Sequence, residues 1–359
     1  MKLNKVLPIL LALLLLGCAQ TAKPVQKGIV KYAKNFQLEI HNGYKILKVK
    51  ENGEWKTYVL YHDKPPKGVK GIPIKIPVHR LVVMSSTHIA QLEAINGTDA
   101  IVGFMWGHRY KLYFPDVLKR IEEGKIVDLG PPSSPDYEKL VELHPDLVVI
   151  YVTKGTEKVR EKLKELGIPY IVDSEWLETN PLGRAEWVKF FGALLDKDKQ
   201  ADEYFDKIVG NVTKIEDMVR GLKRPKVLWA LVWRGKVYVP KGDSYVANEI
   251  KMAGGSYIFS SLNGTGSEII DMEELLAMGQ NTDVFIYPSY FVKSLKDIKN
   301  IDPRLGEIKA FKEGRVYNIT PDYWQLGLLH ADVVIKDLAS IFHPELFKNY
   351  KPRFFVRLK

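Results

Sequence analysis

Two hydrophobic rhythms divide this chain. Between Phe36 and Tyr61 apolar positions fall about every second residue, as in Tyr44, Ile46, Leu47 and Val49 and then Trp55, Tyr58 and Leu60, with Asn42-Gly43 and Asn52-Gly53 between the runs. That pattern predicts β-hairpins closed by tight turns. From Arg80 the rhythm becomes short apolar strands alternating with helical spacing. Leu81-Val82-Val83-Met84, Ala100 to Gly103, Leu147 to Tyr151 and Tyr170 to Val172 read as strands. Ile89, Leu92 and Ile95 read as one helix, with further helices over Tyr137 to Leu143 and residues 157–166. Strands alternating with helices pair in parallel and are covered on both faces.

Asn180-Pro181 is a helix start, with Asn as cap and Pro at the first helical position. The helical pattern then runs to Gly221 and Pro225, with Gly192 and Asp196-Lys197-Asp198 as points of interruption. Beyond it the alternation resumes: strands over 227–232, 237–239, 284–287 and 316–319, helices over 245–252, 272–278 and 327–341. The halves echo each other. Glu138-Lys139-Leu140-Val141 leads to Asp146 and a strand ending in Tyr151, and Glu273-Glu274-Leu275-Leu276 leads to Asp283 and a strand ending in Tyr287. The expected fold is α/β: two Rossmann-like lobes joined by one long helix, a ligand cleft between them where strand carboxyl ends face each other, and an extra N-terminal β-hairpin element.

The first residues follow another logic. Lys2 and Lys5 precede an apolar run, Val6 to Leu16, which is too short to span a bilayer and ends in Leu15-Leu16-Gly17-Cys18. This is the layout of a lipoprotein signal peptide whose cleavage frees Cys18, the single cysteine of the chain, to carry lipid. The expected organisation is therefore a signal peptide over 1–17, a tether over 18–35, the β element over 36–77, an N-terminal α/β lobe over 78–180, the linker helix over 181–221 and a C-terminal α/β lobe over 222–359. Such a protein is extracytoplasmic and held to the cell membrane by lipid.

The net charge of +10 is spread among acidic residues, as in Lys158-Val159-Arg160-Glu161-Lys162, with no separate basic run and no nucleic-acid motif. It fits a solvated surface, an anionic membrane or an anionic small ligand. No catalytic set stands out: there is no nucleophile elbow, phosphate loop or nucleophilic cysteine. The histidines lack the paired spacing of a zinc site, so no intrinsic metal or cofactor is expected.

Candidate ligand contacts gather at strand ends. Ser85-Ser86-Thr87 closes the first strand and opens a helix, where hydroxyls and free amides can meet an anion. Trp106, His108 and Arg109 sit in the loop after the second strand, and Trp233 and Arg234 follow the first strand of the second lobe, so Arg234 is expected to face Arg109 across the cleft. Tyr151, Trp176, Tyr245, Tyr287, Tyr323 and Trp324 offer apolar area with a polar tip, which suits a large planar ligand.

Taken together, the lipid-attachment junction, Arg80 to Thr87, the block Tyr137 to Tyr151 and Gly254-Gly255 before Ile258-Phe259 resemble the helix-linked substrate-binding proteins of ABC importers, the receptors for ferric siderophores, cobalamin and haem. The resemblance covers roughly residues 78–343. It implies a monomeric, non-enzymatic protein that captures an iron or cobalt chelate and delivers it to a permease and ATPase complex. It also implies that Glu138 and Glu273, one per lobe, dock onto the permease. Lying on helices that precede strands, both are expected at the amino ends of those strands, away from the ligand. The competing expectation is a chelatase-like or metallocofactor enzyme on the same two-lobe fold.

Overall fold

A computed structural model describes residues 29–359. Cys18, the leader and the first part of the expected tether lie outside the described residues.

The N-terminal element is a sheet of β1 (Phe36–His41), β2 (Tyr44–Glu51), β3 (Glu54–Tyr61) and β4 (Ile72–Lys75) in that order. Both hairpins fall on the Asn-Gly pairs, with His41 opposite Tyr44 and Glu51 opposite Glu54. Asn52 and Gly53 adopt φ of 49° and 88°, the two positive values that a twist-matched two-residue turn requires. Pairing of β4 parallel to β3 was not visible in the pattern.

The N-terminal lobe runs β5 (Leu81–Val83), α1 (Ser86–Ala94), β6 (Ile101–Phe104), α2 (Pro115–Glu122), β7 (Val127–Asp128), α3 (Tyr137–Glu142), β8 (Leu147–Ile150), α4 (Glu157–Glu165) and β9 (Tyr170–Val172). Its sheet is parallel, in the order β7-β6-β5-β8-β9. Every residue of β5 and β8 is buried, as the unbroken apolar runs require when helices cover both faces.

The linker is divided. The helices α5 (Pro181–Glu186), α6 (Val188–Leu195) and α7 (Asp198–Val219) take the place of one continuous helix. Asp196 caps α6 in the left-handed conformation at φ 58°, which ends the hydrogen-bond ladder. Gly192 breaks nothing; a Cβ there would stand 2.7 Å from Cβ of Ala201, so the glycine lets α6 and α7 pack close.

The C-terminal lobe runs β10 (Lys226–Trp229), β11 (Leu231–Trp233), β12 (Lys236–Pro240), α8 (Tyr245–Met252), β13 (Ser256–Tyr257), β14 (Ser267–Ile270), α9 (Met272–Gly279), β15 (Val284–Ile286), α10 (Leu295–Ile301), α11 (Lys309–Lys312), β16 (Val316–Ile319), α12 (Tyr323–Leu326), α13 (Ala331–Phe342) and β17 (Phe355–Arg357). Its main sheet has the order β13-β10-β15-β16-β17, and β11-β12-β14 form a separate antiparallel sheet. The expected strand over 227–232 is thus two strands in two sheets.

The internal repeat has a structural meaning. Asp146 Oδ2 accepts the amide of Arg80 at 2.8 Å, and Asp283 Oδ2 accepts the amide of Lys226 at 2.7 Å. In each lobe the repeated aspartate ties its own strand to the start of the neighbouring central strand.

Residues 29–35, expected within a free tether, are docked. The buried carboxylate of Glu186 accepts the amides of Lys31, Tyr32 and Ala33 at 2.9, 2.7 and 2.9 Å. Glu178, also buried, accepts those of Lys34 and Asn35 and the indole N–H of Trp187. The buried acids Glu178 and Glu186 need donors, and the segment 31–35 supplies them.

Candidate functional site

Five loops, each following a strand, converge where the lobes meet. Met84 to Thr87 follow β5, Arg109 to Tyr113 follow β6 and Tyr151 follows β8. From the other lobe, Tyr290 and Lys293 follow β15, and Pro321, Trp324 and Gln325 follow β16. They enclose a cavity of about 660 Å³. The carboxyl ends of the parallel strands of both lobes therefore face each other, the usual place for a ligand in such sheets.

Six expected contacts line this cavity: Ser85, Ser86, Thr87, Arg109, Tyr151 and Trp324. Ser85 also caps α1, accepting the amide of Thr87 at 3.2 Å, so capping and lining coexist. Tyr290, another tyrosine expected near a strand end, also lines the cavity, whereas sequence reasoning missed Tyr110, Lys111, Tyr113, Lys293 and Gln325, which carry no periodic signal. Among the described residues the lining carries the cations Arg109, Lys111 and Lys293 and no carboxylate. Burial pushes the Tyr290 phenol up to about 12, helped by Tyr113, Asp322 and Tyr110, so it enters the cavity as a neutral donor.

The loop after β6 is held by residues that were expected to touch ligand. Trp106 is buried, and its indole N–H donates to the carbonyl of Tyr110 at 2.9 Å. Asp128 Oδ1 accepts the amides of Gly107 and Gly130 at 2.8 and 3.0 Å. His108 is exposed at the loop turn, with Nε2 3.3 Å from Asp128 and its ring against Trp106. Arg109 Nε donates to the carbonyl of Trp106 at 3.0 Å, which leaves the rest of its guanidinium to the cavity. The Trp106 carbonyl thus positions Arg109, and neither Trp106 nor His108 lines the cavity.

The arginines do not face each other. Trp233 and Arg234 form the tip of the β11–β12 hairpin, where Trp233 pairs with Lys236 and Arg234 takes φ 51°. The hairpin belongs to the separate sheet and carries them to another cavity of about 650 Å³, shared with Glu273, Phe291 and Arg304. Tyr287 is fully buried there, with its hydroxyl bonded to the backbone of Val232.

Tyr245 and Tyr323 belong to a buried polar network beneath the cleft. Arg184, from α5, donates through Nε and Nη2 to Glu175 Oε2 at 2.9 and 2.7 Å. Its guanidinium covers the Tyr245 ring at 4.1 Å. The Tyr323 hydroxyl donates to Glu249 Oε2 at 3.4 Å. Burial pushes the Glu249 carboxyl up to about 8, only partly countered by Arg184. Tyr245 also faces a cavity of about 150 Å³ that shares Trp324 with the main one. Trp176 lines a side pocket of about 220 Å³ together with His88. Burial lowers the His88 imidazole to about 3, so it is neutral. Among the described residues no group of three or more His, Cys, Asp or Glu side chains is placed to hold a metal ion.

Glu138 and Glu273 are corrected in position. A helix leading into a parallel strand begins at the carboxyl edge of the sheet. The amide of Asp136, the cap of α3, donates to the carbonyl of Leu129 just beyond β7, and Glu273 shares its cavity with the residues after β11 and β15. Both acids are exposed on the edge that carries the cleft, and Glu273 is paired with Arg304 at 3.1 Å.

Two α/β lobes whose strand ends enclose a cationic, tyrosine-rich cavity define a two-lobed binding protein. A family model described as periplasmic binding protein matches residues 81–323. The chain belongs to that family. It is 39% identical over 353 residues to an uncharacterized lipoprotein of Methanocaldococcus jannaschii, covering 92% of this chain and 85% of that one. It is 23% identical to an iron(3+)-hydroxamate-binding protein of Bacillus subtilis, covering 83% and 79% of the two chains. In fold it is similar to Helicobacter pylori CeuE with Ni(II) bound, at a TM-score of 0.63, 22% identity and coverage of 85% and 91%. It is also similar to a periplasmic haem-binding protein of Pseudomonas aeruginosa, at a TM-score of 0.60, 18% identity and coverage of 77% and 95%.

Proposed function

We propose that this protein is the extracytoplasmic receptor of an ABC importer, anchored by lipid on Cys18, that captures an anionic or planar iron or cobalt chelate and passes it to a permease. The chelate is a ferric siderophore, a corrinoid or a haem. The observation that carries the reading is the cavity lining, in which Arg109, Lys111 and Lys293 converge with tyrosines from both lobes. Guanidinium and ammonium groups pair with carboxylate, hydroxamate or catecholate oxygens, and the rings cover the apolar parts of the ligand. A volume of about 660 Å³ suits one such molecule. Relatives named as lipoproteins support the anchor, and the hydroxamate-binding relative supports the ligand class. Among the described residues no helix is long and apolar enough to cross a membrane.

A screen of a ferric trihydroxamate, a ferric tris-catecholate, a corrinoid and haem, by calorimetry and tryptophan quenching, tests the reading. At least one should bind with Kd of about 1 µM or tighter, or ~8 kcal/mol. No heat and no quenching across all four overturns it.

A further inference from the structure

The main cavity continues into the side pocket of about 220 Å³, for the two share Ser85, Thr87 and Tyr151. Their chemistries are opposite. The side pocket replaces the three cations with Asp173, Glu175 and His88, and Trp176 stands at its rim, 43% exposed.

The floor of this pocket is short of hydrogen-bond donors. Glu175 is matched by Arg184. Asp173, 1% exposed, receives the amide of Glu175 on Oδ1 at 2.8 Å, but its Oδ2 meets only Gln91 Nε2 at 3.4 Å and His88 Nε2 at 3.6 Å. Among the described residues His88 Nδ1 and Gln91 Oε1 are buried without a partner. If Gln91 and His88 turn their N–H groups toward Asp173, the atoms left over are both acceptors. Buried acceptors without donors are costly, and such groups mark a place where something is missing.

We infer that this pocket is a second subsite, which takes a cationic or N–H-rich arm of the transported molecule, an alkylammonium in particular. An ammonium brings three donors and a charge to Asp173 and His88, and the Trp176 indole face attracts it at the rim. Burial and Glu175 hold the Asp173 carboxyl well above its usual range, and an entering cation offsets that unfavourable environment. The inference rests on the chelate reading for what fills the main cavity: an oxygen-ligated metal core whose ligand oxygens meet Arg109, Lys111 and Lys293, with a cationic arm in the side pocket. The ligand class is thus a metal chelate that carries an ammonium arm.

The test compares one linear ferric trihydroxamate with a free terminal ammonium against the same chelate acetylated on that nitrogen. The ammonium form should bind about tenfold or more tightly, the span of a charged hydrogen bond. Asp173→Asn keeps shape and the Oδ1 contact and should abolish the preference, and Trp176→Ala, at an exposed site, should reduce it. In parallel, pentylammonium alone is titrated while the Trp176 indole and His88 imidazole resonances are followed by NMR. Equal binding of both chelates with no movement under pentylammonium overturns the subsite and leaves the chelate reading standing. A preference that survives Asp173→Asn also overturns the subsite. Shifts with pentylammonium that vanish in Asp173→Asn, when neither chelate binds, support the subsite and defeat the trihydroxamate reading. Silence in both arms defeats both.

Discussion

Gln325, in the short helix α12 of the second lobe, donates through Nε2 to the carbonyl of Lys111 at 2.7 Å. Its Oε1 accepts the amide of Tyr113 at 3.1 Å. A single buried amide from one lobe thus satisfies two backbone groups of the other, across more than two hundred residues of sequence, and sets the shape of the wall that presents Lys111 and Tyr113. Gln325→Ala should destabilise the protein by about 1–3 kcal/mol, because the lost partner leaves backbone groups unpaired. It should also speed hydrogen exchange at the Tyr113 amide. Unchanged exchange there would show that the clip does not hold the loop.

Arg184 is the cation that balances Glu175, and both are nearly buried. Arg184→Ala removes one partner of a buried pair and should cost about 3–5 kcal/mol in denaturant unfolding. Arg184→Lys should recover only part, since an ammonium cannot make both contacts of the planar fork and still cover Tyr245. A loss below about 1 kcal/mol in the alanine variant would count against this account of the pair.

Stability should fall with rising pH through Glu249. Its carboxyl titrates near 8 in the folded protein and at about 4.3 in the unfolded chain. Below the unfolded value both states are protonated and the group contributes nothing. Between the two values the folded state holds a proton that the unfolded state has released, so stability drops as pH rises, and above about 8 the drop is complete. Glu249→Gln removes this slope. Relative to wild type, the variant should gain more stability at pH 8.5 than at pH 5 in urea melts. The same difference at both pH values would contradict the assignment.

Arg109 and Arg234 should behave differently toward ligand. Arg109→Ala should weaken binding of an anionic chelate by about 1.5–3 kcal/mol, as for a charge-assisted hydrogen bond. Arg234→Ala, in a different cavity, should leave affinity within about 0.5 kcal/mol, as surface changes usually do. Tryptophan quenching titrations of both variants check this. Equal losses would place both arginines at one site.

Glu138 and Glu273 are exposed beside the cleft edge, one on each lobe. If they meet permease arginines, they set orientation and encounter rate. The double substitution Glu138→Ala with Glu273→Ala should leave chelate affinity unchanged and slow uptake in reconstituted vesicles. Added salt should reduce wild-type uptake in the same direction by screening. Wild-type uptake by the double variant at low salt would end the docking role.

The sequence alone determined what depends on local period and local chemistry. Buried strands such as Leu147 to Ile150 announce themselves as unbroken apolar runs. Asn52-Gly53 requires a turn, Asn180-Pro181 opens a helix, and the repeated aspartates mark equivalent corners of the two lobes. Arg109 and Ser85 to Thr87 were legible because they directly follow strands, and strand ends of parallel sheets point at the cleft. Tertiary structure alone decided which tyrosines line the main cavity. Tyr151 and Tyr287 close the same repeat, yet one lines the cavity and the other is sealed beneath the β11–β12 hairpin, a separate sheet that no period distinguishes from the main one. The acceptors Glu186 and Glu178, the Gln325 clip and the Arg184 network join partners far apart in the chain. A buried polar group must find its partner wherever the fold supplies one, and hydrophobic periodicity carries no record of that choice.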